Sequence, residues 1–401
     1  MNSRRTAAFA IARWLATHEF PADMLPQGGS DRAFVQDLVY TVVRRLRPLR
    51  SVLGELMAKW PKGELEALLY VGAAQILYMP DVPDFAAVNE TVVAAKESGR
   101  EKRLDRVVNG VLRNLLRRRA EFEAKLAAAP LAERESFPNA LVKRWIERYG
   151  AANAEALAKW HNTPAETWLA YPPSDDEPEG RFVRLERGRR VNDVEGYTEG
   201  AFIVQDPATA GAVELLNVKP GMTVLDFCAA PGGKSVQIAW RLKGQGRLVA
   251  QEVNPRRLAR LRENIARLRL DQVQVVGKAP AGEGGATAQF DRVLADVPCS
   301  NTGVLRRRPD ARWRWEPSHL KQLAGLQAEI LSRAAAHVAP GGLLVYSTCS
   351  NEPEENGEQV AAFLAAHPEF SEVARRESLP FETGHDGAFA CAMQRSEKGA
   401  Q

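Results

Sequence analysis

The second half of the chain alternates short apolar segments with helical ones, and this alternation restricts the fold more than any other feature. From about residue 205, five segments rich in Val and Leu follow one another: MTVLDF, GRLVAQEV, QVQVVG, FDRVLADV and GGLLVYST. Stretches of helical periodicity, such as NPRRLARLRENIARLRL, separate them. This pattern predicts a buried, mostly parallel sheet with helices on both faces. Ligands of such sheets bind at the carboxyl ends of the strands, so the residues after each strand are the candidate site residues.

The first part of the chain, to about residue 130, predicts a small all-α domain. Apolar residues recur at three- and four-residue steps on one helix face: Val35, Leu38, Val39, Val42, Val43 and Leu46. The most apolar stretch, 65–79, is interrupted by Glu66 and Gln75, so it predicts a core helix and not a membrane span. Residues 131–204 show a weaker pattern, with a helix ending at Gly150 and a strand at RFVRLE. The predicted domains are therefore 1–130, a linker subdomain at 131–204, and 205–401.

The four cysteines, at 228, 299, 349 and 391, contain no C-x-x-C pair. Their spacing argues against a disulfide framework and against a zinc site. We therefore expect reduced thiols in a cytosolic protein that binds no metal. The basic start of the chain loses its apolar character at Arg13, so a signal peptide is not expected.

Charge alone does not identify a partner. The net charge is only +4, but residues 1–150 carry an excess of six positive charges and the remainder is slightly acidic. A basic excess of this kind is compatible with nucleic-acid binding, and it fits solvated helix faces equally well.

Small residues and an acid follow the first two predicted strands. The first strand leads into DFCAAPGGKS, where glycines allow close approach of a ligand to the backbone. A P-loop is excluded because Cys228 occupies the position of its first glycine. Glu252, after the second strand, is placed to accept hydrogen bonds from ribose hydroxyls. The combination favours a cofactor that contains a nucleoside.

A cysteine follows each of the last two predicted strands. Cys299 stands in DVPCSNTG and Cys349 in YSTCS. A single cysteine is usually a small buried hydrophobe, but two at the same edge of one sheet can converge on one site. A thiolate there is a competent nucleophile. The residues themselves leave open which of the two cysteines attacks.

A basic and aromatic run, LRRRPDARWRW, lies between the two cysteines. Arginine guanidinium groups suit phosphate pairing, and exposed tryptophans suit base stacking. The run predicts RNA as the substrate. The candidate RNA-binding residues are Arg306, Arg307, Arg308, Arg312, Trp313 and Arg314.

Together these motifs resemble the Nol/Nop/Sun family of RNA cytosine-5 methyltransferases. The matching segments are VQDPATA (204–210), VLDFCAAPGGKS (224–235), DVPCSNTGVLRRRPDARW (296–313) and YSTCSNEPEENGEQV (346–360). FVQDLVYTVVRRL, GAAQILYMPDVPDFAAVNETV and VVNGVLRNLLRR are similar to the NusB-like helical domain. The combination is similar to the Sun-type branch, which modifies small-subunit ribosomal RNA. The resemblance implies a Rossmann-like, class I S-adenosylmethionine-dependent methyltransferase domain preceded by an all-α NusB-like RNA-binding domain. It also implies that the protein is a cytoplasmic monomer, binds no metal and does not associate with a membrane.

The resemblance also implies a role for each site residue. The segment that would wrap the methionine end of S-adenosylmethionine consists of Cys228, Ala229, Ala230, Pro231, Gly232, Gly233 and Lys234. Glu252 would hold the ribose, and Asp296 would contact both the cofactor and the cytosine ring. Cys349 would add to C6 of the cytosine, and Cys299 would assist loss of the C5 proton. The choice of Cys349 rests on the resemblance, because DNA cytosine-5 methyltransferases use the cysteine that follows a proline, which corresponds to Cys299.

The sequence departs from the family pattern at three places. Gly277 and Lys278 stand where an adenine-binding acid is usual, and Asn301 replaces the first glycine of PCSGTG. The segment 169–172 reads LAYP in place of L-R-V-N. Two alternatives stay open. One is a methyltransferase acting on transfer RNA or large-subunit ribosomal RNA, and the other, which the missing acid near Lys278 motivates, is a non-catalytic RNA-binding assembly factor.

Overall fold

The computed structural model describes residues 2–17, 21–25, 31–97, 104–174, 176–177, 180–282 and 287–397. The chain divides into two compact units. The helical unit comprises residues 1–163 and 308–315, and the sheet unit comprises residues 164–307 and 316–401. A short segment, 308–315, therefore departs from the sheet unit in the middle of its sequence and belongs to the helical unit.

The helical unit confirms the predicted all-α domain. Its described helices are α1 (Ser3–Thr17), α2 (Arg32–Arg44), α3 (Leu46–Leu56), α4 (Glu64–Tyr78), α5 (Asp84–Glu97), α6 (Leu104–Arg117), α7 (Arg119–Ala128), α8 (Leu131–Arg134) and α9 (Asn139–Asn162). The predicted core helix is α4, which is buried at every position from Ala67 to Ile76. Its polar Gln75 is accommodated because its side-chain amide has a hydrogen-bond partner: Gln75 Nε2 donates to the carbonyl of Val71. The predicted apolar face of α2 is buried from Val35 to Val43, and the helix ends at Arg44, before Leu46.

The helical unit extends beyond the predicted boundary at residue 130. Helix α9 buries Trp145 against Phe137, with ring centroids 5.1 Å apart. Residues 131–163 belong to the helical unit and not to a linker. The predicted helix end at Gly150 is a break inside α9, where φ is 79° and the helix resumes to Asn162. The helix continues after Gly150 because apolar side chains on both sides of the break pack within the helical unit.

The sheet unit begins with a small antiparallel sheet. Its strands are β1 (Trp168–Tyr171), β2 (Arg181–Arg184) and β3 (Ile203–Val204), in the order β2-β1-β3. Strand β2 confirms the strand predicted at RFVRLE. The departure LAYP comprises the last three residues of β1 and Pro172 after it.

A seven-stranded sheet forms the core of the sheet unit and confirms the predicted α/β fold. Its strands are β4 (Thr223–Asp226), β5 (Arg247–Gln251), β6 (Val273–Val276), β7 (Phe290–Asp296), β8 (Val338–Thr348), β9 (Phe370–Ser378) and β10 (Ala388–Arg395). The order is β6-β5-β4-β7-β8-β10-β9. The five predicted strands pair in parallel, and β9 and β10, which the sequence analysis did not predict, extend the sheet in antiparallel pairing.

Helices cover both faces of this sheet, as predicted. They are α10 (Ala210–Leu216), α11 (Gly233–Leu242), α12 (Pro255–Arg267), α13 (Pro317–Ala335), α14 (Gly357–Ala366) and the short α15 (Pro380–Thr383). One buried cluster joins α10, α11 and α12 to the sheet, and a second joins α13 and α14 to it. Among the described residues, no helix is long and apolar enough to span a membrane.

The strand order brings the predicted site residues to one edge. Strand β7 lies between β4 and β8, with Asp226 opposite Leu294 and Asp296 opposite Ser347. Because these three strands are parallel, their carboxyl ends meet at the same edge of the sheet. The glycine-rich turn and both cysteine-bearing loops leave the sheet there.

Candidate active site

The thiols of Cys299 and Cys349 lie side by side. Their sulfur atoms are 3.3 Å apart, one on the loop after β7 and the other directly after β8. Cys299 is buried and Cys349 is partly exposed. The two cysteines therefore converge on one site, as the strand pattern predicted, and their separate chemical roles stay predictions.

The surroundings of three of the four thiols raise the thiol pKa. The hydrogen bond with Cys349, burial, and nearby negative charge raise the pKa of Cys299. Burial raises the pKa of Cys228 and of Cys391 to about 12, so neither is a thiolate near neutral pH. Cys391 lies in the core of the sheet, on β10, away from the pair at the strand ends.

Asn301 contacts the Cys349 thiol and was not predicted as a site residue. Its side-chain amide donates to the carbonyl of Cys299 at 2.8 Å, which fixes the direction of the amide group. The amide oxygen then faces the Cys349 sulfur at 3.5 Å and accepts from the thiol. The residue sits in the left-handed region, with φ 62°, a conformation that Asn and Gly adopt most readily.

Asp296 and Lys234 form an ion pair beside the thiols. The Lys234 ammonium lies 2.6 Å from one oxygen of Asp296, and the Ser347 hydroxyl donates to the other oxygen at 2.7 Å. Burial lowers the pKa of Lys234, but the Asp296 carboxylate outweighs that effect and the pKa is raised. Asp296 is thus held in a fixed orientation by partners on both carboxylate oxygens.

The predicted cofactor turn joins β4 to α11. Gly232 has φ 112°, and a Cβ atom there would lie 2.8 Å from the Leu261 side chain, so the turn needs glycine. Asp226 ends β4 and is buried; one carboxylate oxygen accepts from Ser235 at 2.6 Å and the other has no hydrogen-bond partner. Burial raises the pKa of Asp226 to about 7. A close-approach turn with an unpaired buried acceptor fits a ligand that supplies a donor, as the methionine amino group of S-adenosylmethionine would.

Glu252 follows β5, next to this turn in the sheet. Its side chain is buried, and it accepts from the backbone of Asn254 at 2.9 Å and approaches Arg257 to 3.7 Å. Gly277 and Lys278 follow the next strand, β6, where Lys278 is exposed. No carboxylate takes the usual adenine-binding position in this sequence, and the roles of Glu252 and of Cys228 to Lys234 stay predictions.

A cavity of about 200 Å³ opens beside Cys349. Its lining includes Lys234, the end of β8 at Ser347 and Thr348, and Cys349. The VQDPATA segment contributes residues 207–209. This volume is below the ~300–1,000 Å³ of a typical small-molecule pocket, and it suits one flat ring. Cys349, the partly exposed thiol of the pair, and Lys234, the cation of the ion pair, therefore border a space of the size that a single base requires.

The basic run between the cysteines is divided between the two units. Arg306 donates to the carbonyl of Pro164 at 3.0 Å, and Arg307 pairs with Asp206 at 2.8 Å and with Asp386, all within the sheet unit. These bonds hold the VQDPATA loop and the loop before β10 together. Contacts of Arg306 and Arg307 with RNA stay predictions, but both guanidinium groups already have protein acceptors.

The rest of the run belongs to the helical unit and corrects one prediction. Arg312 has no exposed surface; its guanidinium lies 3.9 Å from the Phe137 ring centre and donates to Asn162 at 2.9 Å. The prediction that Arg312 contacts RNA is therefore wrong, because the side chain is enclosed by protein. The expectation of two exposed tryptophans is also wrong: Trp315 is buried, and the half-buried Trp313 donates its indole N–H to the carbonyl of Val43.

Arg308 and Arg314 flank a buried carboxylate. Arg314 lies 2.6 Å from Asp310, and Arg308 lies 4.0 Å from it. Their side chains remain about a third exposed, so contact with RNA is compatible with these pairs and stays a prediction, as it does for Trp313.

A buried acid, Glu355, connects the two cysteine loops and was also not predicted. Its carboxylate accepts hydrogen bonds from Ser300 and Ser350, the residues that follow Cys299 and Cys349. In the sequence this residue is one of several acids in a polar run, NEPEEN, and such runs are usually exposed. Only the fold shows that this one is inside.

Comparisons with known proteins agree with this architecture. A family model described as 16S rRNA methyltransferase RsmB/F matches residues 213–391, and the NusB family model matches residues 1–117. The chain is 35% identical to "Ribosomal RNA small subunit methyltransferase B" of Serratia proteamaculans, covering 97% of each chain. It is 36% identical to the protein of the same name from Klebsiella pneumoniae, over 92% of this chain and 91% of that one.

Solved structures show the same fold. The crystal structure of PH0851 covers 98% of this chain and 99% of its own, with a TM-score of 0.78 and 22% identity. NSun6 from Pyrococcus horikoshii, solved with the S-adenosylmethionine analogue SFG, covers 66% of this chain and all of its own, with a TM-score of 0.58 and 18% identity.

Proposed function

Because the chain belongs to the RsmB/F family of 16S rRNA methyltransferases, which use S-adenosylmethionine, we propose that it methylates C5 of a cytosine in 16S ribosomal RNA. The reaction proceeds through a covalent bond between Cys349 and C6 of that cytosine. The observation that carries the proposal is the 3.3 Å separation of the Cys349 and Cys299 sulfurs at the strand ends, beside the Asp296–Lys234 pair. One thiol to attack and a second to remove a proton is the requirement of this chemistry.

The cysteines and Asp296 divide the reaction between them. Addition of the Cys349 thiolate to C6 breaks the C5–C6 double bond and makes C5 nucleophilic. S-adenosylmethionine, when bound, supplies the electrophilic methyl group that C5 takes. Cys299, deprotonated at this stage, takes the C5 proton as a thiolate and becomes a thiol, the double bond re-forms, and Cys349 leaves as a thiolate. Asp296, held by Lys234 and Ser347, hydrogen-bonds the cytosine ring as the thiol adds.

The glycine-rich turn holds the methyl donor in this proposal. Cys228 to Lys234 contact its methionine end and Glu252 its ribose, with the unpaired oxygen of Asp226 as an additional acceptor. The cytosine must leave its base stack to enter the cavity beside Cys349, which favours a target that is already exposed. We propose that the protein acts in the cytoplasm, where the thiols that the chemistry needs stay reduced.

Cysteine variants test the proposal with 16S ribosomal RNA and radiolabelled S-adenosylmethionine. Cys349→Ala should abolish methyl transfer, and Cys299→Ala should trap a covalent protein–RNA complex that is visible on a denaturing gel. Cys391→Ala is the matched control, because that thiol lies in the sheet core. This variant should transfer methyl groups like the wild type and accumulate no covalent complex. Methyl transfer that survives the loss of Cys349 would contradict the assigned mechanism.

Bisulfite sequencing identifies the RNA. Ribosomal and transfer RNA from a strain lacking the gene would be compared with RNA from the parent strain. We expect one cytosine of 16S ribosomal RNA to lose its protection. Loss of protection only in transfer RNA or in large-subunit ribosomal RNA would replace the proposed substrate, and no loss in any RNA would support a non-catalytic assembly factor.

A further inference from the structure

Glu355 is a carboxylate enclosed between the two cysteine loops. It lies at the end of a short 3-10 helix, Pro353–Glu355, and has no exposed surface. One carboxylate oxygen accepts from the backbone N–H of Ser300 at 2.8 Å and from the side-chain amide of Gln327 at 2.9 Å. The other oxygen accepts from the hydroxyl groups of both Ser300 and Ser350. The single group therefore collects donors from both loops.

The donors explain why an acid is found at a buried position. A carboxylate accepts several hydrogen bonds and donates none, so it is the side chain that can receive four donors at one point. Burial of a charge is unfavourable unless such bonds compensate it. The position of Glu355 is itself fixed, because the Tyr346 hydroxyl donates to its backbone carbonyl at 2.7 Å. Tyr346 lies on β8, so the carboxylate is anchored to the sheet that carries Cys349.

The two serines occupy equivalent places in the two loops. Ser300 directly follows Cys299, and Ser350 directly follows Cys349. Their hydroxyls also lie 3.1 Å from each other, so the loops meet at the carboxylate and at a direct contact. Displacement of either serine moves the cysteine before it, because a single peptide bond joins each serine to its cysteine.

We propose that Glu355 is a positioning residue that sets the relative placement of the Cys299 and Cys349 thiols through Ser300 and Ser350. The inference rests on the proposed two-cysteine reaction and assigns a function to a residue that does not itself touch the reacting atoms. If Glu355 acts in this way, the two serines affect different steps of the methyl-transfer reaction. Ser350 positions the attacking thiol, and Ser300 positions the thiol that receives the C5 proton.

Serine variants separate this function from a general effect on stability. Ser350→Ala should slow formation of the covalent RNA complex, whereas Ser300→Ala should allow it to form and slow its breakdown, so that the complex accumulates. Glu355→Gln, which places an amide donor against hydroxyl donors, should slow both steps. Misplacement of reacting groups by about 1 Å costs on the order of 10²-fold in rate, which sets the expected scale. Glu358→Gln is the matched control, because Glu358 is exposed on the next helix, and its rates should equal those of the wild type.

The readouts are single-turnover methyl transfer and the fraction of protein trapped on 16S ribosomal RNA, measured on the full chain alongside its melting temperature. A positioning role predicts opposite changes in trapped complex for Ser300→Ala and Ser350→Ala at similar melting temperatures. A purely structural role predicts that both variants lose active protein in proportion, with an unchanged ratio of trapped complex to methyl transfer, and that result would overturn the inference. If Cys299→Ala traps no complex in the same assay, the proposed function fails instead, so the two failures are distinguishable.

Discussion

At the scale of single residues, the contact between Asn301 and Cys349 gives a direct test of the site. Asn301→Gly removes the amide oxygen that accepts from the thiol, and glycine adopts the same φ of 62° without strain. A neutral hydrogen bond contributes about 0.5–1.5 kcal/mol, so loss of this orienting contact should slow methyl transfer by about two- to tenfold. Single-turnover kinetics would measure the effect. An unchanged rate would show that Asn301 only shapes the turn.

Asp226 gives a prediction about pH. Burial raises its pKa from 3.8 to about 7, so the folded protein binds a proton that the unfolded chain releases in this range. The stability should therefore be highest below pH 4 with respect to this group and should fall as the pH rises to about 7. A shift of this size corresponds to a few kcal/mol, at about 1.4 kcal/mol per pKa unit.

Asp226→Asn should remove this contribution, since an amide does not titrate. Urea unfolding of both proteins at several pH values between 5 and 8 would measure the difference. We expect the free energy of unfolding of the variant to fall less than that of the wild type over the same range. Parallel curves for the two proteins would contradict the raised pKa.

The position of a site residue was predictable from the sequence where that residue follows a predicted strand. The convergence of Cys299 and Cys349 followed from two strand ends in one parallel sheet. Asn301 and Glu355 were not predictable, because their positions depend on how two loops fold back on each other after the strands end. Nothing in the local sequence distinguishes the buried Glu355 from Glu358, which is exposed.

At the scale of elements, close backbone packing holds the loop after β8. Gly303, on the loop after β7, approaches the carbonyl oxygen of Cys349, and a Cβ atom at Gly303 would lie 2.8 Å from that oxygen and 2.6 Å from that of Gly387. Both neighbours are backbone atoms, which cannot rotate away. Gly303→Ala should displace the Cys349 loop and reduce methyl transfer on the order of 10²-fold.

Gly325 is the control for that substitution. It lies within α13, and a Cβ atom there would have no heavy atom within 4 Å. Gly325→Ala should retain full activity and stabilise the protein by about 0.5–1 kcal/mol, because alanine is the better helix former. Melting temperatures and methyl-transfer rates of both variants test the comparison. Equal activity of the two variants would show that the Cys349 loop tolerates displacement.

Elements with a single buried face or a continuous apolar run were predictable, and elements that depend on partners were not. The five parallel strands and α4 have such patterns. Strand β9 is largely exposed, with polar residues such as Arg375 and Glu377, and it forms a strand because β10 supplies its hydrogen bonds. The boundary at Thr163 was missed for the same reason: Glu135 and Ser136 attach this segment to the helical unit through contacts with Arg45 and Arg47, which are distant in sequence.

At the scale of the whole molecule, the basic run shows that charge in the sequence is a poor guide to a binding surface. Arg306 and Arg307 satisfy acceptors within the sheet unit, and Arg312 is enclosed in the helical unit. A stretch that has the composition of an RNA-binding segment therefore contributes to the interior of two units. Its arginines stabilise the fold by filling carbonyl and carboxylate acceptors that would otherwise be buried without donors.

Substitution of Arg312 tests whether the arginines of that run support the fold or bind RNA. Arg312→Ala should remove the donor to Asn162 and the contact with the Phe137 ring, and leave buried acceptors unpaired. A buried acceptor left without its donor costs about 1–3 kcal/mol, so urea unfolding should show a clear loss of stability in the helical unit. Lys143→Ala, at an exposed pair on α9, should cost less than about 0.5 kcal/mol. If Arg312 contacted an RNA phosphate, its substitution would instead reduce the salt dependence of RNA affinity and leave stability unchanged. Measurement of unfolding and of RNA affinity at several salt concentrations therefore separates a structural arginine from a substrate contact, and we expect the first result.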